Sequence, residues 1–218
     1  MSKEKQKHTV VGDKGQYINR NYNLKYDKYL LTMKEYAKNN DVPIMEDGGI
    51  AFLISVLKMS KTKKVLEIGS AIGFSASCMA KLANCDVTTI EIDDERYNEC
   101  INNINNQNLN DKVRCIHKDA LLAYEDVKDE EFDFIFIDAA KGQYANFFEL
   151  YEKNLKEGGI ILTDNLYFHD LLFQETDSRN LHGLLKRVHR YNDYLLSKEG
   201  YDTTILEIGD GIGISIKK

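Results

Sequence analysis

Five short apolar segments, each followed by a stretch with helical periodicity, occupy the chain from Lys64 to Thr163. Apolar runs of this length, bounded by turn residues and separated by amphipathic stretches, are typical of parallel β-strands buried on both faces. The predicted strands cover residues 64–68, 86–90, 113–117, 132–137 and 159–163. The alternation therefore predicts an α/β fold with a doubly wound sheet.

The two ends of the chain depart from this alternation. Residues 16–58 carry apolar side chains at helical spacing, with a break at Pro43. We therefore expect a helical extension over residues 1–60 that belongs to the same domain as residues 61–218. At the other end, two apolar runs flank Gly209-Asp210-Gly211. This pattern predicts a hairpin of residues 203–208 and 212–216 and hence an antiparallel last strand.

The composition narrows the classes of protein that are possible. At 218 residues, the chain is long enough for one substantial domain. A formal charge of -6 argues against a protein coated in nucleic acid, although net charge conceals local basic patches. The chain has no apolar run of about 18 residues and no apolar signal core near its start. We therefore expect no membrane span, a cytoplasmic location and reduced cysteines.

Acidic and amide side chains follow the fourth and fifth predicted strands. Asp138 and Lys141 come after residues 132–137, and Asp164-Asn165 ends the next strand. Ligands of parallel sheets bind outside the carboxyl ends of the strands, so these side chains are expected to meet. Oxygen ligands suit Mg²⁺, Mn²⁺ or Ca²⁺, and a lysine beside a cation is a candidate base for an acidic hydroxyl. The alternative is that these residues only cap the strand ends.

The segment after the first predicted strand indicates a ligand-binding turn. Gly69 and Gly73 let the backbone turn tightly and approach a ligand before a helix begins. Glu91 ends the second predicted strand, where an acid suits two ribose hydroxyls. Asp119 follows the third, placed to accept a hydrogen bond from an adenine amine. The two acids together predict a nucleoside-containing ligand. The glycine spacing differs from the Gly-x-Gly-x-x-Gly of dinucleotide sites.

This order of motifs resembles that of S-adenosylmethionine-dependent methyltransferases of the seven-stranded class. The resemblance rests on Glu67-x-Gly69, Glu91, Asp119 and Asp138, and on the closing hairpin. It implies a Rossmann-like seven-stranded sheet over residues 61–218, with S-adenosylmethionine as cofactor. The residues that it implies for cofactor binding are Met45, Glu67, Gly69, Ser70, Gly73, Ser75, Glu91, Ile92, Asp119, Ala120 and Asp138.

Several of these residues take particular roles by the same resemblance. Met45 would lie near the sulfonium and Ser75 at the methionine end of the cofactor. Glu91 would bind the ribose, and Asp119 and Ala120 the adenine.

The Asp138, Lys141 and Asp164-Asn165 motifs are similar to those of metal-dependent O-methyltransferases related to the catechol and caffeoyl-coenzyme A enzymes. This similarity implies that Asp138, Asp164 and Asn165 hold Mg²⁺ or another divalent ion such as Mn²⁺ or Ca²⁺. It also implies that Asp138 and Lys141 are catalytic, with Lys141 either a base or a stabiliser of the oxyanion. Related enzymes pair through their amino-terminal helices, so a homodimer is expected.

Within that group, residues 42–46 and 137–144 look most like bacterial tRNA 5-hydroxyuridine methyltransferases, which make 5-methoxyuridine at the wobble position. Catechol enzymes carry a bulky aromatic residue just before the lysine, whereas Ala139-Ala140 leaves a more open floor here. The resemblance implies a tRNA substrate. A catechol-like small molecule and a non-catalytic cofactor-binding protein are the alternatives.

Residues 179–195 predict an amphipathic helix with one basic face. Leucine and valine side chains fall on one side, and no acid occurs between residues 179 and 190. The opposite side carries the candidate RNA-binding residues Arg179, Lys186, Arg187 and Arg190. Phosphate contact is one interpretation of this face. A solvated helix surface is the other.

Overall fold

The computed structural model describes residues 24–168 and 171–218. The helices are α1 (Lys28–Asn39), α2 (Asp47–Met59), α3 (Phe74–Leu82), α4 (Asp94–Asn106), α5 (Tyr144–Tyr151) and α6 (Arg179–Ser197). The strands are β1 (Lys64–Ile68), β2 (Asp86–Glu91), β3 (Val113–His117), β4 (Phe132–Ile137), β5 (Leu155–Thr163), β6 (Tyr201–Leu206) and β7 (Ile212–Lys217). The break between α1 and α2 contains Pro43, as predicted. Residues 16–23 of the predicted helical region lie outside the described residues.

The strands form one seven-stranded sheet in the order β3-β2-β1-β4-β5-β7-β6. Strands β1 to β5 are parallel, β7 is antiparallel to β5, and β6 is antiparallel to β7. The predicted Rossmann-like seven-stranded fold with an antiparallel last strand is therefore confirmed. The order reverses between β1 and β4, and this switch point is where ligands of such sheets bind.

The sheet carries one hydrophobic core on each face, because successive side chains of a strand point to opposite sides. Val65 and Phe134 pack with α1 to α4, whereas Leu66 and Ile135 pack with α5 and α6. Burial on both faces explains why β1 and β4 are nearly continuous apolar runs. Helices α1 and α2 share the first core, and the division into residues 1–60 and 61–218 stays a prediction.

Two strand boundaries differ from the sequence-based expectation. Strand β5 begins at Leu155, four residues before the predicted start, so Gly158 and Gly159 lie inside it. Gly158 has a positive φ of 72°, and the pairing of β4 with β5 shifts register between Phe132 and Phe134. The glycines mark an irregularity within the strand, which the sequence pattern alone reads as a strand boundary.

The closing hairpin is also offset from its predicted position. Strand β6 ends at Leu206, so the connection to β7 spans residues 207–211 and is closed by a Gly211 N to Ile208 O hydrogen bond of 3.1 Å. The buried Tyr201 ring packs edge-on against Phe148 at 5.0 Å between centroids. Tyr201 is the first residue of β6, which therefore begins two residues before the predicted start.

Across residues 24–168 and 171–218, no helix combines the length and apolar character needed to cross a bilayer. The expected cytoplasmic location stays a prediction.

Candidate active site

A cavity of about 580 Å³ opens at the carboxyl ends of the central strands, at the switch point of the sheet. Most of the predicted site residues line it: Met45, Gly69, Ser70, Ser75, Glu91, Ile92, Asp119, Ala120, Asp138, Lys141, Asp164 and Asn165. Two further predicted residues, Glu67 and Gly73, are not in its lining. The structure thus brings the two predicted constellations, the glycine-rich turn and the acidic cluster, into one cavity.

The glycine-rich turn packs directly against the end of β4. Gly69 has a φ of 95°, and a Cβ atom there would lie 2.2 Å from the carbonyl oxygen of Asp138. Gly73, which precedes α3, has a φ of 79° and donates its N–H to Ser70 O at 2.7 Å. Glycine is required at Gly69 by both its backbone conformation and this close approach. The glycine-rich turn therefore lies directly beside the acidic side of the cavity, which is the side formed by Asp138 and Asp164.

Glu67 supports the wall of the cavity from behind. Its carboxylate is fully buried and accepts hydrogen bonds from Ser75 Oγ at 2.5 Å and Thr89 Oγ1 at 2.6 Å. Burial raises the pKa of Glu67 to about 7, although the two hydroxyl donors oppose that shift. Because the Ser75 hydroxyl donates its proton to Glu67, its oxygen can only accept from a ligand.

Glu91 is held in place by backbone donors. Its Oε2 accepts from Ala71 N at 2.8 Å, and its Oε1 accepts from the N–H groups of Ile92 and Asp93, both at 3.0 Å. A carboxylate offers about four acceptor positions. Three bonds from the protein therefore leave acceptor capacity for ligand hydroxyls on the cavity side.

The remaining predicted cofactor residues lie at two places on the wall. Asp119 accepts from Leu121 N at 2.8 Å, and the Ala120 carbonyl accepts from Tyr151 Oη at 2.5 Å. Ile92, 61% exposed, lies at the rim. These groups offer a carboxylate and an apolar surface, a combination that suits a heterocyclic base.

Met45 reaches the cavity from the segment that precedes α2, and its side chain is 7% exposed. A Cβ atom on Gly49 would lie 2.9 Å from Met45 Cγ. Gly49 thus makes room for the methionine, and the sequence analysis missed this role. Met45 precedes Gly49 by four residues across the start of α2, and this spacing is the signal that could have found the contact.

Asp138 and Asp164 occupy equivalent positions at the ends of adjacent strands, because the preceding residues, Ile137 and Thr163, are paired in the sheet. Asp164 is 3% exposed, and burial raises its pKa to about 8, reinforced by the charges of Asp138 and Asp210. Burial also raises the pKa of Asp138, against the opposing charge of Lys141. Crowding of buried carboxylates disfavours their ionised forms unless a cation joins them.

Lys141 and Asn165 contact each other at the acidic side of the cavity. Lys141 Nζ donates to Asn165 Oδ1 at 2.6 Å and lies 5.4 Å from the centre of the Phe168 ring. Asn165 has a φ of 60°, a left-handed conformation that asparagine tolerates better than most residues. The ammonium group is thus placed beside the two carboxylates.

Asp210 also lines the cavity and adds a third carboxylate to Asp138 and Asp164 on the acidic side, although it was predicted only as a turn residue. Backbone bonds from Leu166 N to Gly211 O, 2.9 Å, and from Tyr167 N to Asp210 O, 2.8 Å, hold the hairpin turn against the segment after β5. The antiparallel pairing of β7 with β5 was the signal that could have found it. That pairing places the β6–β7 turn at the carboxyl end of β5.

Helix α6 carries the predicted basic residues on its exposed side: Arg179, Lys186, Arg187 and Arg190. Its other side is anchored near β5, where Tyr191 Oη lies 2.9 Å from Thr163 Oγ1 and Asn192 Nδ2 donates to Leu166 O at 3.1 Å. The four residues lie outside the cavity lining. Arg187 packs against the segment after Lys141, since its Nε lies 3.3 Å from where a Cβ on Gly142 would stand.

Residues 21–218 match the family described as O-methyltransferase. The chain belongs to the O-methyltransferase family. Among curated relatives, a caffeoyl-CoA O-methyltransferase of Populus kitakamiensis is 30% identical over 190 residues, which cover 83% of this chain and 80% of that protein. A flavonoid 3',5'-methyltransferase of Vitis vinifera shows the same identity and coverage.

Solved structures of related proteins share the fold over nearly the whole chain. A Staphylococcus aureus structure provisionally assigned as a caffeoyl-CoA O-methyltransferase is 34% identical, with a TM-score of 0.84, and covers 94% of this chain and 96% of that chain. An O-methyltransferase from Bacillus cereus in complex with SAH is 23% identical, with a TM-score of 0.79, and covers 93% and 96%. At that lower identity the likeness is one of fold.

Proposed function

We propose that this O-methyltransferase transfers a methyl group from S-adenosylmethionine to the 5-hydroxyl of 5-hydroxyuridine at the tRNA wobble position, giving 5-methoxyuridine. The observation that carries the proposal is the single cavity in which Gly69 and Glu91 face Asp138, Asp164 and Lys141. One side suits a nucleoside cofactor and the other an acidic hydroxyl. Family membership supports the O-methyl transfer.

The cofactor would lie along the glycine-rich side of the cavity. Glu91 would accept from the ribose hydroxyls, and Asp119 would accept from the adenine amine. Ser75, whose oxygen can only accept, suits the ammonium of the methionine part. S-adenosylmethionine, when bound, supplies a methyl group activated by its sulfonium. The protein's part is to hold an oxygen nucleophile in line with that methyl group.

The acidic side has the donor chemistry of a site for Mg²⁺ or a similar divalent ion. Asp138, Asp164 and Asn165 offer three oxygen donors, and the pKa of each carboxyl is raised by burial. Within the described part of the chain, no group of three or more His, Cys, Asp or Glu side chains forms a metal site by itself. The proposed site therefore depends on the Asn165 amide. Such an ion would favour the deprotonated form of a bound hydroxyl.

Lys141 is proposed either to accept the proton of the substrate hydroxyl or to stabilise the resulting oxyanion. Its Nζ is fixed by Asn165 Oδ1 at 2.6 Å, beside the two carboxylates. A neutral amine there would take the hydroxyl proton, whereas an ammonium would stabilise the oxyanion by a hydrogen bond. Both roles need the same position, so Lys141→Met would lower the methyl-transfer rate in either case.

Two features support a tRNA substrate over a small phenol. Ala139 and Ala140 both line the cavity and leave its floor open next to Lys141. Arg187, on the exposed basic face of α6, lies against Gly142, the residue that follows Lys141. Phosphate groups flanking the target nucleotide would find these cations at the entrance.

A small phenolic substrate is the second candidate. The names of the Populus and Vitis relatives, a caffeoyl-CoA and a flavonoid methyltransferase, favour it. Conversely, a non-catalytic cofactor-binding protein would have no use for Lys141 at the acidic cluster. The structure describes a single chain, and the homodimer stays a prediction.

Methyl transfer from labelled S-adenosylmethionine tests these candidates directly. The protein is given tRNA bearing 5-hydroxyuridine and, separately, a catechol, each with Mg²⁺ and with chelator. We expect label in the tRNA nucleoside only, and its loss with chelator. Label in the catechol alone would overturn the tRNA proposal, and no transfer to either would favour the non-catalytic alternative.

A further inference from the structure

Two cysteine thiols meet beneath the glycine-rich turn. Cys100 on α4 and Cys115 on β3 have their Sγ atoms 3.4 Å apart. Both are free thiols, and fourteen residues separate them in the sequence. A disulfide needs an S–S distance of about 2.05 Å, so the sulfur atoms would have to approach each other by about 1.4 Å.

Cys100 supports the turn that the proposed cofactor would contact. A Cβ atom on Gly73 would lie 2.7 Å from Cys100 Sγ, so the thiol packs directly against the backbone of the turn. One turn further along α4, Asn103 Nδ2 donates to Ile72 O at 3.0 Å. Helix α4 is thus fastened to the turn at two points. A displacement of Cys100 would therefore act on Gly73, whose N–H donates to the carbonyl oxygen of Ser70, a residue that lines the cavity.

The two thiols differ in their access to solvent. Cys100 is fully buried, whereas Cys115 is half-buried on β3, an edge strand of the sheet. The hydrogen bond with Cys115 and burial both raise the pKa of Cys100. The thiolate is the reactive form of cysteine, so the more accessible Cys115 is the thiol that would react first.

We propose that Cys100 and Cys115 form a reversible disulfide that weakens cofactor binding. This inference rests on the proposed cofactor site. With a low-molecular-weight disulfide as oxidant, the Cys115 thiolate attacks one sulfur and releases the first small thiolate, leaving a mixed disulfide. Cys100 then attacks Cys115 Sγ and releases the second. The protein dithiol is oxidised by two electrons, the oxidant is reduced to two thiols, and the two cysteine protons pass to them.

Bond formation acts on the turn because Cys100 Sγ must move toward β3. That movement withdraws the sulfur from the backbone of Gly73. The turn would lose the support that fixes its backbone beneath the proposed cofactor. We expect weaker binding of S-adenosylhomocysteine, with the acidic cluster on the far side of Gly69 left in place.

Oxidised glutathione is the probe for the test, applied to the full chain. Unreduced digests analysed by mass spectrometry would show a peptide linking Cys100 to Cys115. Calorimetry would show about tenfold weaker S-adenosylhomocysteine binding, restored by dithiothreitol. Cys115→Ser is expected to bind like the reduced protein with or without the oxidant, and Cys115→Val replaces it if the serine variant does not fold.

Three results would overturn the inference. They are the absence of the linked peptide, a linked protein with unchanged affinity, and equal loss of affinity in the Cys115 variants. The proposed cofactor site is judged separately, because it predicts binding by the fully reduced protein. Reduced protein that fails to bind S-adenosylhomocysteine would overturn both proposals, whereas binding without any disulfide would overturn this one alone.

Discussion

Glu91 and Asp164 are both buried acids at the ends of parallel strands, yet their surroundings differ. Glu91 accepts three backbone N–H groups, from Ala71, Ile92 and Asp93. Asp164 accepts one, from Asn165 N at 2.8 Å, and its pKa is raised to about 8 by burial and by neighbouring carboxylates. Backbone N–H donors thus satisfy the carboxylate on one side of the cavity, whereas on the other side carboxylates crowd together beside Lys141.

The two sides of the cavity therefore suit different ligands. On the Glu91 side the carboxylate is held by three backbone donors, which suits a ligand recognised by hydrogen bonds. The Asp164 side places carboxylates together with few donors, an arrangement whose cost a bound cation would remove.

Asp164→Asn should disrupt the proposed metal site and leave cofactor binding intact. Losing one carboxylate removes an oxyanion ligand of the proposed metal site, so we expect methyl transfer to fall by about 100-fold or more. S-adenosylhomocysteine affinity should stay within about threefold, because the glycine-rich side is untouched. Kinetics and calorimetry measure the two effects, with the exposed Asp129→Asn as matched control. A parallel loss of affinity would mean that the two sides are not separable.

Gly69→Ala should disrupt both sides of the cavity, because Gly69 lies where the glycine-rich turn contacts the end of β4. The added Cβ would lie 2.2 Å from the Asp138 carbonyl oxygen at a φ of 95°. We expect a loss of more than about 2 kcal/mol in the free energy of unfolding, together with loss of S-adenosylhomocysteine binding. Gly183→Ala, on α6 with no atom within 4 Å of the new Cβ, should instead be neutral or stabilise by up to about 1 kcal/mol. Denaturant unfolding compares them, and equal effects would contradict the account.

Glu67→Gln should change how stability depends on pH. The pKa of Glu67 is raised by burial from 4.5 to about 7, so the folded protein keeps a proton that the unfolded chain has released between those values. The free energy of unfolding of the wild type should therefore fall by about 3 kcal/mol relative to the variant as pH rises across that window. Urea titrations at several pH values measure the difference. Parallel curves would show that Glu67 is ionised in the folded protein.

Arg187→Gln should give the smallest effect and test the basic face of α6. If Arg187 contacts a phosphate, tRNA affinity should fall severalfold and the salt dependence of binding should lose about one unit of slope. Arg114→Gln is the control, an exposed arginine on β3 at the opposite edge of the sheet that pairs with Glu130. Equal slopes for Arg187→Gln and the wild type would indicate a solvated helix face.

Sequence reasoning located the acids at the strand ends, because it rests on local periodicity and on the rule that parallel strands deliver ligands at one edge. Asp138 and Asp164 follow from that rule. Asp210 does not, because it reaches the cavity only through the pairing of β7 with β5. The start of β5 was misplaced because glycines inside a strand look like a strand boundary.

Glu67 shows a different limit. It was predicted to bind the cofactor, and the structure places it behind the wall with Ser75 and Thr89 as partners. Alternation along β1 puts Glu67 on the same face as Val65, toward helices α1 to α4. The alternation of residues along a strand predicts the face on which a polar side chain lies. It does not predict the hydrogen-bond partners of that side chain, which come from distant segments.

The acidic side of the cavity is proposed to bind a divalent cation independently of the cofactor side. Titration of Mn²⁺ into the wild type and Asp164→Asn, each with and without S-adenosylhomocysteine, tests it most directly. The account predicts one Mn²⁺ site in the wild type that is lost in the variant, while both proteins bind S-adenosylhomocysteine. Equal Mn²⁺ binding by the two proteins, or none by the wild type, would contradict it.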